Sequence, residues 1–144
     1  MKHPVFFIAL TGLLVLSGCM SLFHPQAETF YQEAKGATGP QTALRLISMM
    51  DTSAQQAKGE SGESPGLHNL HDQFHALHKT FCDFSDRESA TTAYEHSLTL
   101  QKELKTIFHR LWKVKHDASL RTIHLDLFLS RLQELRSALQ SIPA

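Results

Sequence analysis

The stretch LHNLHDQFHALHKTFCDF, residues 67–84, opens a long part of the chain that contains no helix breaker. Neither glycine nor proline occurs from residue 67 to residue 142, and leucine is abundant there. Within 67–84 the apolar residues repeat at intervals of three and four, which is the spacing along one face of an α-helix. The stretch predicts an amphipathic helix and indicates an all-α fold.

Two sequence signals divide the region after this helix. Ser85 followed by Glu88 has the spacing of a capping box, so a second helix is expected over 86–115. Asp117 or Ser119 can cap a final helix, because either side chain can accept a hydrogen bond from an unpaired N–H group of the first turn.

Two helices are expected before residue 67. A short one over 25–35 and a longer one over 41–58 each adjoin a proline, which is tolerated in the first helical turn. A polar connector rich in glycine and serine spans 59–66. Residues 25–144 are therefore predicted to form one domain, an antiparallel four-helix bundle with a short extra N-terminal helix.

The beginning of the chain has the organisation of an export signal. An apolar run over 5–16 is too short to cross a hydrocarbon core of about 30 Å but suits a signal-peptide core. The following Leu16-Ser17-Gly18-Cys19 resembles the lipobox of bacterial lipoproteins. The resemblance implies a signal peptide over 1–18, fatty acyl chains such as palmitate on Cys19, and a lipidated tether over 19–24.

The same resemblance implies a location. The acylated Cys19 would anchor the domain to a membrane of the cell envelope without spanning it. Met20 follows the cysteine instead of the aspartate associated with retention in the inner membrane. For a Gram-negative cell the expectation is therefore the outer membrane, with the domain facing the periplasm.

Composition argues against several classes of function. Lys plus Arg total 14 and Asp plus Glu total 14, so a nucleic-acid partner has no electrostatic support. If Cys19 carries lipid, Cys82 has no partner for a disulfide within the chain, and the fold must be held by packing. No catalytic triad spacing, glycine-rich phosphate loop or paired-carboxylate motif stands out, so no enzymatic activity is expected.

A stripe of histidines follows the apolar face of the helix over 67–84. His68, His71, His75, His78 and Cys82 are spaced alternately by three and four residues. The pairs His71/His75 and His78/Cys82 could hold a copper, zinc or nickel ion, which makes a transition metal the one candidate cofactor. Alternatively, these amphipathic side chains lie at the half-buried shoulder of the helix and bind nothing.

Residues 64–81 and Leu104-Lys105-Thr106 are similar to the soluble b-type cytochromes, which are four-helix bundles. That family ligates haem iron with a methionine of the first helix and a histidine near the end of the last. Here the corresponding first helix has no methionine, and Trp112 occupies the late position. The resemblance therefore implies the bundle and not the haem.

The last helix carries apolar residues around more than half of its circumference, a wider arc than one buried face requires. Either this helix is central to the bundle, or Leu125, Leu129 and Leu132 face a partner. A second ambiguous group comprises Phe108 and Trp112 with nearby lysines. It is either a contact surface for lipid headgroups or a partner, or a packed aromatic pair.

Two functional hypotheses follow. The leading one is a lipid-anchored, non-catalytic adaptor or assembly factor that binds another envelope protein, or a second copy of itself, through Leu125, Leu129 and Leu132. The alternative is a periplasmic metal-binding protein that uses the stripe from His68 to Cys82.

Overall fold

The computed structural model describes residues 25–143, and every regular element in this range is helical, which confirms the all-α prediction. The predicted signal peptide over 1–18, Cys19 and the tether over 19–24 lie outside the described residues. Within 25–143, no helix combines the length and hydropathy that crossing a membrane requires. The helices are α1 (Pro25–Ala34), α2 (Gly39–Lys58), α3 (Pro65–Thr80), the single turn α4 (Asp86–Ser89), α5 (Thr92–Lys113) and α6 (Ala118–Gln140).

The long helices begin where side chains cap their first backbone N–H groups. Of the two caps proposed for the last helix, Asp117 is the one that forms, since its side chain accepts from Leu120 N at 2.9 Å. Each of the other long helices begins after a hydroxyl cap, namely Thr38 for α2, Ser64 for α3 and Thr91 for α5.

The prediction of one continuous helix over 86–115 is wrong. The capping box is present, because Glu88 N donates to Ser85 Oγ at 3.3 Å and Ser85 N donates to Glu88 Oε2 at 2.7 Å. The helix nevertheless stops after one turn. Thr91 Oγ1 donates to Glu88 O at 2.8 Å and accepts from Tyr94 N, so this hydroxyl both ends α4 and begins α5.

Contacts between Lys58 and Asp126 and between His78 and Gln101 show that α2 with α6, and α3 with α5, run antiparallel. Helix α2 packs against α3 and α6, α6 packs against α5, and α1 lies over α2 and α3. Contact between α3 and α5 is sparse, so the bundle is open along this seam. The largest fully buried side chains fill the interior from all four long helices, and they include Leu46, Met50, Leu70, Leu77, Leu104, Leu111, Leu125, Phe128 and Leu132.

The predicted partner surface on the last helix needs correction. Leu125 and Leu132 are completely buried, and Leu129 is half-buried against the core. The reason is that α6 packs against both α2 and α5, which buries Leu125 and Leu132. The rest of the apolar arc is not covered, since Leu120, Ile123 and Leu127 remain exposed.

A buried arginine joins the two loops at one end of the bundle. Arg121, in the first turn of α6, is only 3% exposed. Its Nη2 donates to Ala57 O at 2.8 Å and to Ser64 Oγ at 3.0 Å, while its Nη1 donates to Lys115 O at 3.1 Å and to Gly62 O. One side chain thus connects the end of α2, the start of α3 and the α5–α6 loop.

We predict that Arg121→Met lowers the free energy of unfolding by about 3 kcal/mol, because several buried acceptors lose their charged donor at once. Urea denaturation measures this loss. The matched control is Arg110→Met on the exposed side of α5, for which a change within about 0.5 kcal/mol is expected. Equal losses in the two variants would contradict the role given to Arg121.

A polar cluster attaches α1 to the end of α3. Tyr31 Oη donates to Asp83 Oδ2 at 2.5 Å, and Lys79 Nζ lies 4.0 Å from the centre of the Tyr31 ring. Lys79 also pairs with Glu28 at 2.7 Å, and this hydrogen bond lowers the pKa of the Glu28 carboxyl. The hydrogen bond to Asp83, together with burial, raises the pKa of Tyr31 to about 12.

We predict that the stabilisation of the fold by the hydrogen bond from Tyr31 to Asp83 is lost at alkaline pH. A raised pKa means that the folded state holds the phenol proton more tightly, so the stabilisation is complete below about pH 10 and disappears as the pH approaches 12. The difference in melting temperature between wild type and Tyr31→Phe should shrink over this range. A difference independent of pH would refute the coupling.

Candidate functional site

The open seam between α3 and α5 forms a groove of about 590 Å³. This volume lies within the range of about 300–1,000 Å³ that is usual for small-molecule sites. The two helices run antiparallel here, so His71 faces Trp112 at one end and His78 faces Gln101 at the other.

The floor of the groove is aromatic. Phe74 and Phe108 are buried and stack in parallel, with ring centres 6.5 Å apart and planes 4° apart. Trp112 is half-buried and continues the row, 5.9 Å from Phe108. These rings come from the inward-facing sides of their helices, and they give the groove an apolar base that is screened from water.

The α3 wall consists of histidines held by neighbouring polar groups. His71 Nε2 and His75 Nε2 are 3.3 Å apart, as the separation of four residues along a helix permits. His71 Nδ1 lies 3.2 Å from the Asp72 carboxylate. His78 Nδ1 hydrogen-bonds to Gln101 Nε2 across the groove at 2.9 Å.

The α5 wall carries the positive charge. Lys102, Lys105, His109 and Lys113 are exposed and line the groove, and their spacing of three and four residues places them on one helix face. On α3, the half-buried carboxylate of Asp72 lies next to His71 and is not part of the groove lining. The groove therefore combines an apolar base with a cationic rim.

The four residues proposed as metal ligands are not all brought together. α3 ends at Thr80, whose hydroxyl donates to Leu77 O at 2.7 Å, and a 3₁₀ turn (Phe81–Asp83) follows. Cys82 is consequently exposed and does not line the groove. Only His71 and His75 of the proposed set approach each other closely. Across the part of the chain that the structure describes, no group of three or more His, Cys, Asp or Glu side chains is arranged to hold a metal.

The sequence signals predict only part of the groove. Phe108 and Trp112 line it together with Lys105 and Lys113, whereas Lys115 of the same group lies outside it and pairs with Glu63 at 2.9 Å. Gln101 and Lys102 were missed. Their spacing with Lys105 on one helix face was available, but the pairing of that face with the histidines of α3 was not.

No protein-family model matches this chain, and neither the curated proteins nor the solved structures contain a match to it. The chemistry of the groove is therefore the basis for assigning a function.

Proposed function

We propose that this protein is a non-catalytic binding protein whose α3–α5 groove holds a small amphipathic anion, with an apolar body and a carboxylate or a similar group. The observation that carries the proposal is the combination of an aromatic base with a lysine rim in a groove of about 590 Å³. The groove replaces Leu125, Leu129 and Leu132 as the binding surface, since the side chains of Leu125 and Leu132 are inside the core.

The two parts of the groove contribute differently to binding. The apolar body of a ligand would gain about 25 cal/mol for each Å² removed from water against Phe74, Phe108 and Trp112. Lys102, Lys105 and Lys113 are exposed, so each contributes little affinity, but together they orient an anion and speed its association.

We also propose where in the cell envelope the domain is anchored. The lipobox resemblance supports acylation of Cys19, which would tether the binding domain to the outer membrane on its periplasmic side. The ligand would then be met in the periplasm or at the membrane surface.

We predict that the charged rim makes a modest, measurable contribution to the affinity for anions. Trp112 is the single tryptophan of the chain and lies in the groove, so its emission reports binding of laurate or 2-naphthoate. Replacing Lys102 and Lys105 together by Gln should weaken binding about tenfold, since two favourable charges are removed.

The matched control replaces Lys35 and Arg87 by Gln, which removes the same charge at exposed positions outside the groove. This control should leave the affinity unchanged. If it weakens binding as much as the rim variant, or if neither anion changes Trp112 emission in a saturable way, the proposed site is refuted.

The histidine pair favours a second candidate function, the binding of a copper, zinc or nickel ion. Two nitrogens bound to a tetrahedral ion at 2.0–2.1 Å lie about 3.3 Å from each other. His71 Nε2 and His75 Nε2 show this separation. Asp72 beside His71 Nδ1 supplies the carboxylate that commonly orients a metal-binding imidazole.

We predict about one ion per chain after dialysis against zinc or copper, because the His71/His75 pair can ligate a single ion. The protein should be purified without a metal-affinity resin, and metal content measured by mass spectrometry. Replacing His71 and His75 by Gln should abolish binding. The control replaces His96 and His116 by Gln, and it should retain the metal because both histidines are exposed and lie outside the groove. Equal loss in both variants would show that the ion is held nonspecifically.

A further inference from the structure

The apolar part of the groove is made of aromatic rings without aliphatic side chains. Phe74, Phe108 and Trp112 supply it, and the remaining lining residues in the described range are histidine, lysine and glutamine. The interior of the same helices is different, since Leu70 and Leu77 of α3 are fully buried leucines. Where α3 meets α5 the apolar lining is therefore aromatic, and it includes Phe74 and Phe108, which are also part of the core.

Trp112 and His71 are half-buried and present ring surface to the opening, whereas Phe74 and Phe108 are 8% and 4% exposed. The His71 ring is tilted by 35° to Phe108 and by 37° to Trp112, and its centre is 5.8 Å from each. Phe108 and Trp112 are tilted by 36° to each other. A flexible acyl chain gains about as much from leucine as from phenylalanine. A planar conjugated ligand gains additionally from stacking on such ring surface.

The length of the groove and the positions of its lysines indicate the size and the charge of the ligand. The lining of α5 runs from Gln101 to Lys113, which is about 18 Å along the helix axis. Lys102 and Lys113 are at opposite ends of this length, so cationic groups are available at two separate places. A ligand with more than one carboxylate would use both.

We infer that the groove binds a large planar conjugated ring system that carries carboxylates, in preference to a fatty acid. This inference rests on the proposed function, because it names the class of amphipathic anion. The shared chemistry is the planar ring with its carboxylates, and the probes below distinguish a metal-free ring from a metallated one, to which His71 or His75 would supply an imidazole.

The experiment compares three probes with the purified protein. Protoporphyrin IX is planar with two carboxylates and no metal, hemin adds iron, and oleate is a flexible acyl carboxylate. Porphyrin binding is followed by the absorbance of the probe, and oleate binding by Trp112 emission or by calorimetry. Protoporphyrin should bind about tenfold more tightly than oleate, since stacking on the rings of Trp112 and His71 is added to burial.

Three variants test whether ring stacking in the groove causes the preference for protoporphyrin over oleate. Trp112→Leu should weaken protoporphyrin about tenfold and oleate much less, since it removes ring faces while keeping an apolar side chain. Phe108→Leu provides the same comparison if Trp112→Leu fails to fold by circular dichroism. Phe30→Leu, on α1 and outside the groove, should change neither affinity.

The outcomes separate the inference from the proposed function. Oleate binding as tightly as protoporphyrin overturns the planar class and leaves an amphipathic-anion site. No binding of any probe by the folded protein overturns both. Hemin could bind more tightly than protoporphyrin and show the absorption spectrum of imidazole-ligated iron. If replacing His71 and His75 by Gln then removes this spectrum, the natural ligand is a metallated ring. Equal affinities for hemin and protoporphyrin identify a metal-free ring.

Discussion

The hydrogen bonds of Arg121 determine how the bundle is closed at one end. A buried guanidinium is costly unless each of its donors is used, and here the acceptors come from the end of α2, the start of α3 and the loop before α6. The register of the four long helices is therefore fixed where both short loops meet. α3 and α5 are held in place through α2 and α6, and they do not need to pack tightly against each other.

The groove is a consequence of this arrangement. Since α3 is held by α2 and α1, and α5 by α6, the lysines and histidines along the α3–α5 seam stay outside the core, while Phe74 and Phe108 belong to it. The seam has stacked aromatic rings at its base and lysines and histidines at its edges. The interior of the bundle, in contrast, is rich in leucine. The histidine stripe is correspondingly divided. His68 is exposed, while His71 and His75 form a contact pair within the groove.

Local sequence signals predicted much of the fold and little of the site. The helices, the capping box at Ser85 and the cap at Asp117 are decided by neighbouring residues, so they could be read from the chain. The end of α4 depends on one hydroxyl, that of Thr91, which propensity alone does not single out. The face of α3 that meets α5 is set by tertiary packing, and Arg121 was missed because arginine is normally an exposed residue.

The side chains along the α3–α5 seam favour the binding of a ligand there over the stability of the fold. A bundle selected only for stability would fill the seam with leucines, gaining about 25 cal/mol for each Å² of apolar surface buried. Instead, α5 presents Lys102, Lys105 and Lys113 there, and Trp112 remains half-buried beside His71. Neighbouring lysines on one face repel each other and contribute nothing to packing across the seam. An anion between the two helices would supply both the missing apolar contacts and the missing negative charge.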